Sequence, residues 1–178
     1  MEFIEIQQLK LWWLYILLGI DTIIVGSIVL FDKGGMSWQD LKDIYFLPVF
    51  AIALPYIVVY FVTNNVLTLS IDQCGINYKY WPFSKNKTVS WTRIEKMYIR
   101  KYDAFGEYGG WGLRNRLWFK FNDKAYVFND NNLGLQLELN NNKRLLFSTS
   151  KTEELSLFLI NLKTKYNIGA IETDVRER

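Results

Sequence analysis

Two apolar runs near the N-terminus constrain this chain most. Leu11–Phe31 reads LWWLYILLGIDTIIVGSIVLF, 21 residues with one charge. Ile44–Val62 reads IYFLPVFAIALPYIVVYFV, 19 residues with none. About 20 apolar residues at helical rise span a hydrocarbon core of roughly 30 Å. A core helix of a globular domain would show a polar face, and neither run has one. The expectation is two transmembrane helices, spans 11–31 and 44–62, forming a hairpin within residues 1–65. The linker Asp32–Asp43 carries Gly34-Gly35 for a turn and places both ends of the hairpin on one side. Its Lys33 and Lys42 are outweighed by Lys10, Lys79, Lys85 and Lys87 in the flanks. That bias predicts a multi-pass protein of the cell inner (cytoplasmic) membrane, both termini cytoplasmic, with the lipid bilayer as a partner. Trp12, Trp13, Tyr15, Tyr60 and Phe61 suit one interfacial belt, and Phe31, Trp38, Tyr45 and Phe46 the other. The flank MEFIEIQQLK lacks the pattern of a cleaved signal.

Residues 66–178 are enough for one domain with its own core. This part holds eighteen Lys and Arg against twelve acids, whereas residues 1–65 hold three Lys against six acids. The single Cys, Cys74, excludes an internal disulfide. The absence of His removes the commonest general base and metal ligand. No metal site, cofactor or catalytic residue is expected, and the small positive excess does not suit a nucleic-acid partner.

From residue 66 the apolar period becomes two. Leu67, Leu69 and Ile71, then Ile76, Tyr78 and Tyr80, flank the turn Asp72-Gln73-Cys74-Gly75 and predict a hairpin. KTVSW, IEKMYIRKY, LWFKF and AYVF read as further strands. GLQLEL and KRLLFST form a hairpin around Asn140-Asn141-Asn142. Ser150-Lys151-Thr152-Glu153 fits a capping box. Leu155, Phe158, Leu159, Leu162 and Tyr166 then make one helical face, ended by Asn167–Gly169. Residues 169–178 read as a loose polar tail.

About seven strands capped by a C-terminal helix over 66–168 resemble the pleckstrin-homology-like (PH-like) open barrel. LTLSIDQCGINYKYWPF, TVSWTRIEKMYI and LQLELNNNKRLLFSTSKTEELSLFL are similar to bacterial membrane proteins with such a domain after two membrane helices. The resemblance implies a binding or scaffolding module and no settled activity. The basic first-hairpin turn of phosphoinositide binders is not matched by Asp72-Gln73-Cys74-Gly75.

Asp103–Arg116 is the leading site candidate. Gly106, Gly109, Gly110 and Gly112 permit close backbone approach. Tyr108, Trp111, Arg114 and Arg116 add aromatic and cationic contacts, and exposed N–H groups beside Arg can cradle an anion. The same composition also fits an irregular connection packed on the barrel. The set Arg93, Lys96, Arg100 and Lys101 reads as solvated strand positions on two faces. Asp21, mid-run, and Tyr56, within about 4 Å of its depth by helical rise, form a candidate polar contact. Gly19, Thr22 and Gly26 make a small-residue face suited to close helix packing. The function expected is a non-enzymatic, membrane-anchored binding or scaffolding module whose partner is a membrane or cytoplasmic protein or a second copy. A lipid-head-group sensor and an accessory subunit of a membrane enzyme or transporter are the alternatives.

Overall fold

The computed structural model describes residues 1–31, 46–118 and 120–176, without the side chains of 29, 30 and 46–49. The chain divides into two compact units, residues 10–65 and residues 1–9 with 66–178.

In the first unit both apolar runs are helical: α1 (Trp13–Phe31) and α2 (Phe46–Thr63). Their hydroxyls meet in two places. Tyr15 Oη lies 2.9 Å from Thr63 Oγ1, and Thr22 Oγ1 lies 3.0 Å from Tyr56 Oη. The expected Asp21–Tyr56 contact is thus corrected: Tyr56 pairs with Thr22, one residue round the helix, and Asp21 is exposed. Gly19 and Gly26 do not mark a close approach, since nothing lies within 4 Å of a Cβ built on either.

Among the described residues no helix is long and apolar enough to cross a membrane. This corrects the two-span transmembrane hairpin, and with it the multi-pass inner-membrane placement. The physical reason is length: α1 has 19 residues and α2 has 18, each short of the roughly 20 consecutive apolar residues of a full span. The linker Asp32–Asp43, with Gly34, Gly35 and Trp38, and Tyr45 lie outside the described residues.

The second unit is mainly β. Nine strands are described, where about seven were expected. Strands β1 (Phe3–Gln8), β2 (Val66–Ile71), β3 (Gly75–Trp81) and β4 (Lys87–Ser90) form an antiparallel sheet in that order. The second sheet has the order β5 (Ile94–Lys101), β8 (Leu133–Leu139), β9 (Arg144–Ser148), β7 (Lys120–Val127), β6 (Gly112–Arg116). Its β7–β9 pair is parallel. Alternation sends Leu67, Leu69, Ile71, Met97, Leu135 and Leu137 into one fully buried core between the sheets. Gly134 is required where β8 pairs with β9, because a Cβ there would sit 2.8 Å from the Phe147 carbonyl.

Strand β1 falls where only a flank was expected. Its buried side chains are Phe3, Glu5 and Gln7, while Ile4 and Ile6 are exposed. The Glu5 carboxylate accepts from Thr149 Oγ1 at 2.7 Å and from both the amide and the hydroxyl of Ser150 at 2.8 Å. Ser150 is therefore committed to β1 and does not cap the C-terminal helix. That helix, α4 (Thr152–Tyr166), has Lys151 at its N-cap and no side-chain cap bond. Glu5→Ala leaves the buried Thr149 hydroxyl and the Ser150 donors without their carboxylate, and a loss of about 1–3 kcal/mol is expected in urea melts. An unchanged midpoint would show that solvent replaces the carboxylate without cost.

The C-terminal segment is not loose. The Ala170 carbonyl accepts from Met97 N–H at 2.8 Å, and Glu172 N–H donates to the Met97 carbonyl at 2.8 Å. Arg176 N–H donates to the Ile99 carbonyl at 2.9 Å, and its guanidinium stacks 4.0 Å from the Tyr98 ring. The segment so covers the outer edge of β5, with Ile171 fully buried.

Candidate functional site

The Gly-rich segment folds as a cover on the outer face of the second sheet. Asp103 caps the short helix α3 (Ala104–Tyr108), its Oδ1 accepting from Phe105 N–H at 3.1 Å and Gly106 N–H at 2.9 Å. Gly109 ends the helix in the left-handed region, φ 73°, which favours glycine. The amides of Gly109 and Gly110 donate to Phe105 and Ala104 carbonyls at 3.0 and 2.8 Å. They serve the helix end rather than an anion. Residues Gly112–Arg116, expected within a loop, are strand β6, and Leu117 and Trp118, expected to open a strand, form the turn into β7.

Tyr108 is buried with Tyr102, Ala104, Ala125, Val127 and Leu146 in a second small core, against which Trp111 packs. Trp111 lies edge-on to Phe105 at 5.1 Å, and its Nε1 donates to Asp130 Oδ1 at 2.9 Å. Arg114 is exposed, its Nε donating to the Trp111 carbonyl at 2.9 Å. Combining Trp111→Ala with Arg114→Ala should leave the sheet intact and remove roughly 1–2 kcal/mol of half-buried contact. Collapse of the near-ultraviolet circular dichroism would show instead that Trp111 holds the second core together.

Beside this core lies a closed ionic network. Arg100 donates to Glu107 through Nη1 and Nη2 at 3.2 and 3.0 Å, and to Tyr108 Oη at 3.0 Å. Arg116 lies 3.2 Å from both Glu107 and Asp123, and Tyr108 Oη donates to Asp123 at 3.1 Å. Burial, opposed in part by Arg100, pushes the Tyr108 phenol well above its ordinary value. Arg100 is therefore not a solvated strand position: its side chain is 12% exposed. The six expected binding residues do not converge. Tyr108 and Arg116 belong to this network, Gly109 and Gly110 end α3, and Trp111 and Arg114 lie at its surface.

The structure assembles a different concavity, a groove of about 500 Å³ between the two sheets. Strands β3 and β4 supply Tyr78, Lys87, Thr88 and Val89, and the turn after β3 supplies Phe83. Strand β7 supplies Phe121, Lys124 and Tyr126, and β6 supplies Leu113. Arg93 comes from the single helical turn Trp91–Arg93, Lys143 from the turn before β9 and Arg144 from its first position. Five cations therefore line the groove, and no carboxylate does among the described residues. The floor is aromatic: Tyr126 stacks on Phe147 at 5.1 Å and 10°, and Tyr78 meets Tyr126 at 5.5 Å. Burial pushes the Tyr78 phenol up, offset in part by Tyr126 and Arg93. The floor thus stays uncharged at neutral pH.

Near the groove Arg144 lies 3.3 Å from Glu138. Lys87, Arg93, Lys124 and Lys143 are exposed. The groove continues into a smaller concavity through Asn122, Leu139, Lys143 and Arg144, which line both. The sequence signal for this site was weak. Lys87 and Lys124 lie in different strands, and only the fold brings them to one opening. A comparison with protein-family models and with curated proteins finds no match for this chain.

Proposed function

We propose that this chain is a non-enzymatic binding module that holds part of a partner protein in the groove between its two sheets. The observation that carries this reading is five cations around an aromatic floor with no carboxylate in the lining. The volume matches sites that enclose a ligand fragment, where apolar walls supply contact and a few polar groups set orientation. The adjoining concavity holds the acids Glu95, Asp123 and Glu138, of which Asp123 and Glu138 pair with Arg116 and Arg144.

A photo-cross-linking phenylalanine analogue at Phe121, exposed on the groove rim, tests this in the full chain in cells. Leu157, exposed on α4, is the control position. A discrete protein adduct at 121 and none at 157 is the expected result. Equal adducts at both positions, or none at 121, would overturn the reading.

A further inference from the structure

The groove lies at the open seam between two sheet edges, and this narrows what occupies it. Strand β4 ends the first sheet and β6 ends the second. Among the described residues neither has a strand on its other side. An uncovered edge presents backbone donors and acceptors to another chain. The opposite edge of the second sheet shows the contrast, since the segment 170–176 already lies along β5. Lys87, Thr88 and Val89 of edge strand β4 line the groove on one side, and Leu113 of edge strand β6 lines it on the other.

We infer that an extended acidic segment of a partner protein docks in this seam as an added strand on β4. This rests on the reading of the groove as a binding site. Side chains of an extended segment alternate in direction. One row, if acidic, meets Lys87, Arg93, Lys124 and Lys143. The other row, if apolar, meets Phe83, Leu113 and Phe121 at the rim and Tyr78 and Tyr126 at the floor. Main-chain hydrogen bonds supply affinity in such additions, and side-chain pockets supply specificity. A compact anion would use the cations and leave the rim aromatics and the β4 edge without a role.

The probe is a short fluorescein-labelled peptide alternating Glu with Val, titrated into the full chain and followed by anisotropy. Binding is expected, weakening as salt screens the exposed cations. N-methylation of alternate peptide amides, which blocks strand pairing, should weaken it by about tenfold or more. Combining Lys124→Glu with Lys143→Glu, both exposed, should do the same while the thermal midpoint is kept. Equal binding of the methylated peptide would overturn the strand addition and leave the groove as a site. Displacement by inorganic pyrophosphate at concentrations where glutamate is inert would overturn the peptide in favour of a phosphate ligand. No peptide binding by the wild-type chain would overturn the inference, and the cross-link at Phe121 would then decide separately whether the groove binds anything.

Discussion

Replacing Glu107 by Gln should lower the unfolding free energy of the β unit by about 3–5 kcal/mol, the usual result of removing one partner from a buried ion pair. The Glu107 side chain is 3% exposed and faces Arg100 and Arg116 together. An amide keeps the volume but removes the carboxylate, leaving the Arg100 charge to Asp123 and to neutral bonds with Gln136, the Lys101 carbonyl and Tyr108. Acid should act in the same direction. Burial alone would raise the Glu107 carboxyl, but bonds from Arg100 and the Asp103 amide, with the charges of Arg100 and Arg116, outweigh it and hold it below the ordinary glutamate range. A depressed folded value means that the contribution is present above the unfolded value of about 4.3 and is lost as pH falls through the folded one. Urea melts by near-ultraviolet circular dichroism should show a steep acid limb in the wild type and a flatter one in Glu107→Gln. Parallel limbs would show that Glu107 does not set the acid response.

Leu159→Ala should remove about 2–5 kcal/mol, the range for buried leucine truncations. Leu159 is 2% exposed and shares the inner face of α4 with Leu155 and Leu162, both fully buried. Leu157, two residues earlier, is 63% exposed and serves as the internal control. Leu157→Ala should cost less than about 0.5 kcal/mol. Similar losses at both positions, read from the same urea melts, would mean that α4 is not docked by this face.

The strands that alternate apolar-in and polar-out, such as Leu67-Leu69-Ile71 and Leu135-Leu137, were legible because period two and burial agree there. Strand β1 was not, because its pattern is inverted. Hydropathy puts Ile4 and Ile6 inside, yet Glu5 and Gln7 are inside, held by partners more than a hundred residues away: Thr149 and Ser150 for Glu5, Ser148 for Gln7. A local pattern carries no trace of such partners. The same holds for Ser150, whose capping-box signature is correct locally and is overridden by Glu5. In the Gly-rich segment the glycines suggested an open loop, but Asp103 and Gly109 bound a helix that the Tyr108 side chain anchors. The ionic network joins Arg100, Glu107, Arg116 and Asp123 across four elements, so no single motif announces it. Apolar length alone suggested membrane spans, and the described helices do not support that reading.

Strands β1 and β2 are antiparallel neighbours, with Gln8 opposite Val66 and Phe3 opposite Ile71. Seen as a chain path, the helical unit is an insertion into the turn of a β-hairpin, leaving and re-entering the sheet at adjacent register positions. The β unit therefore owes none of its strand pairing to residues 10–65. A graft that joins Gln8 to Val66 through a tight two-residue turn should retain both sheets. It should also shorten the loop that β1 must close, gaining up to about 2 kcal/mol in closure entropy. The helical unit is, in this sense, exchangeable cargo on a hairpin that is already complete.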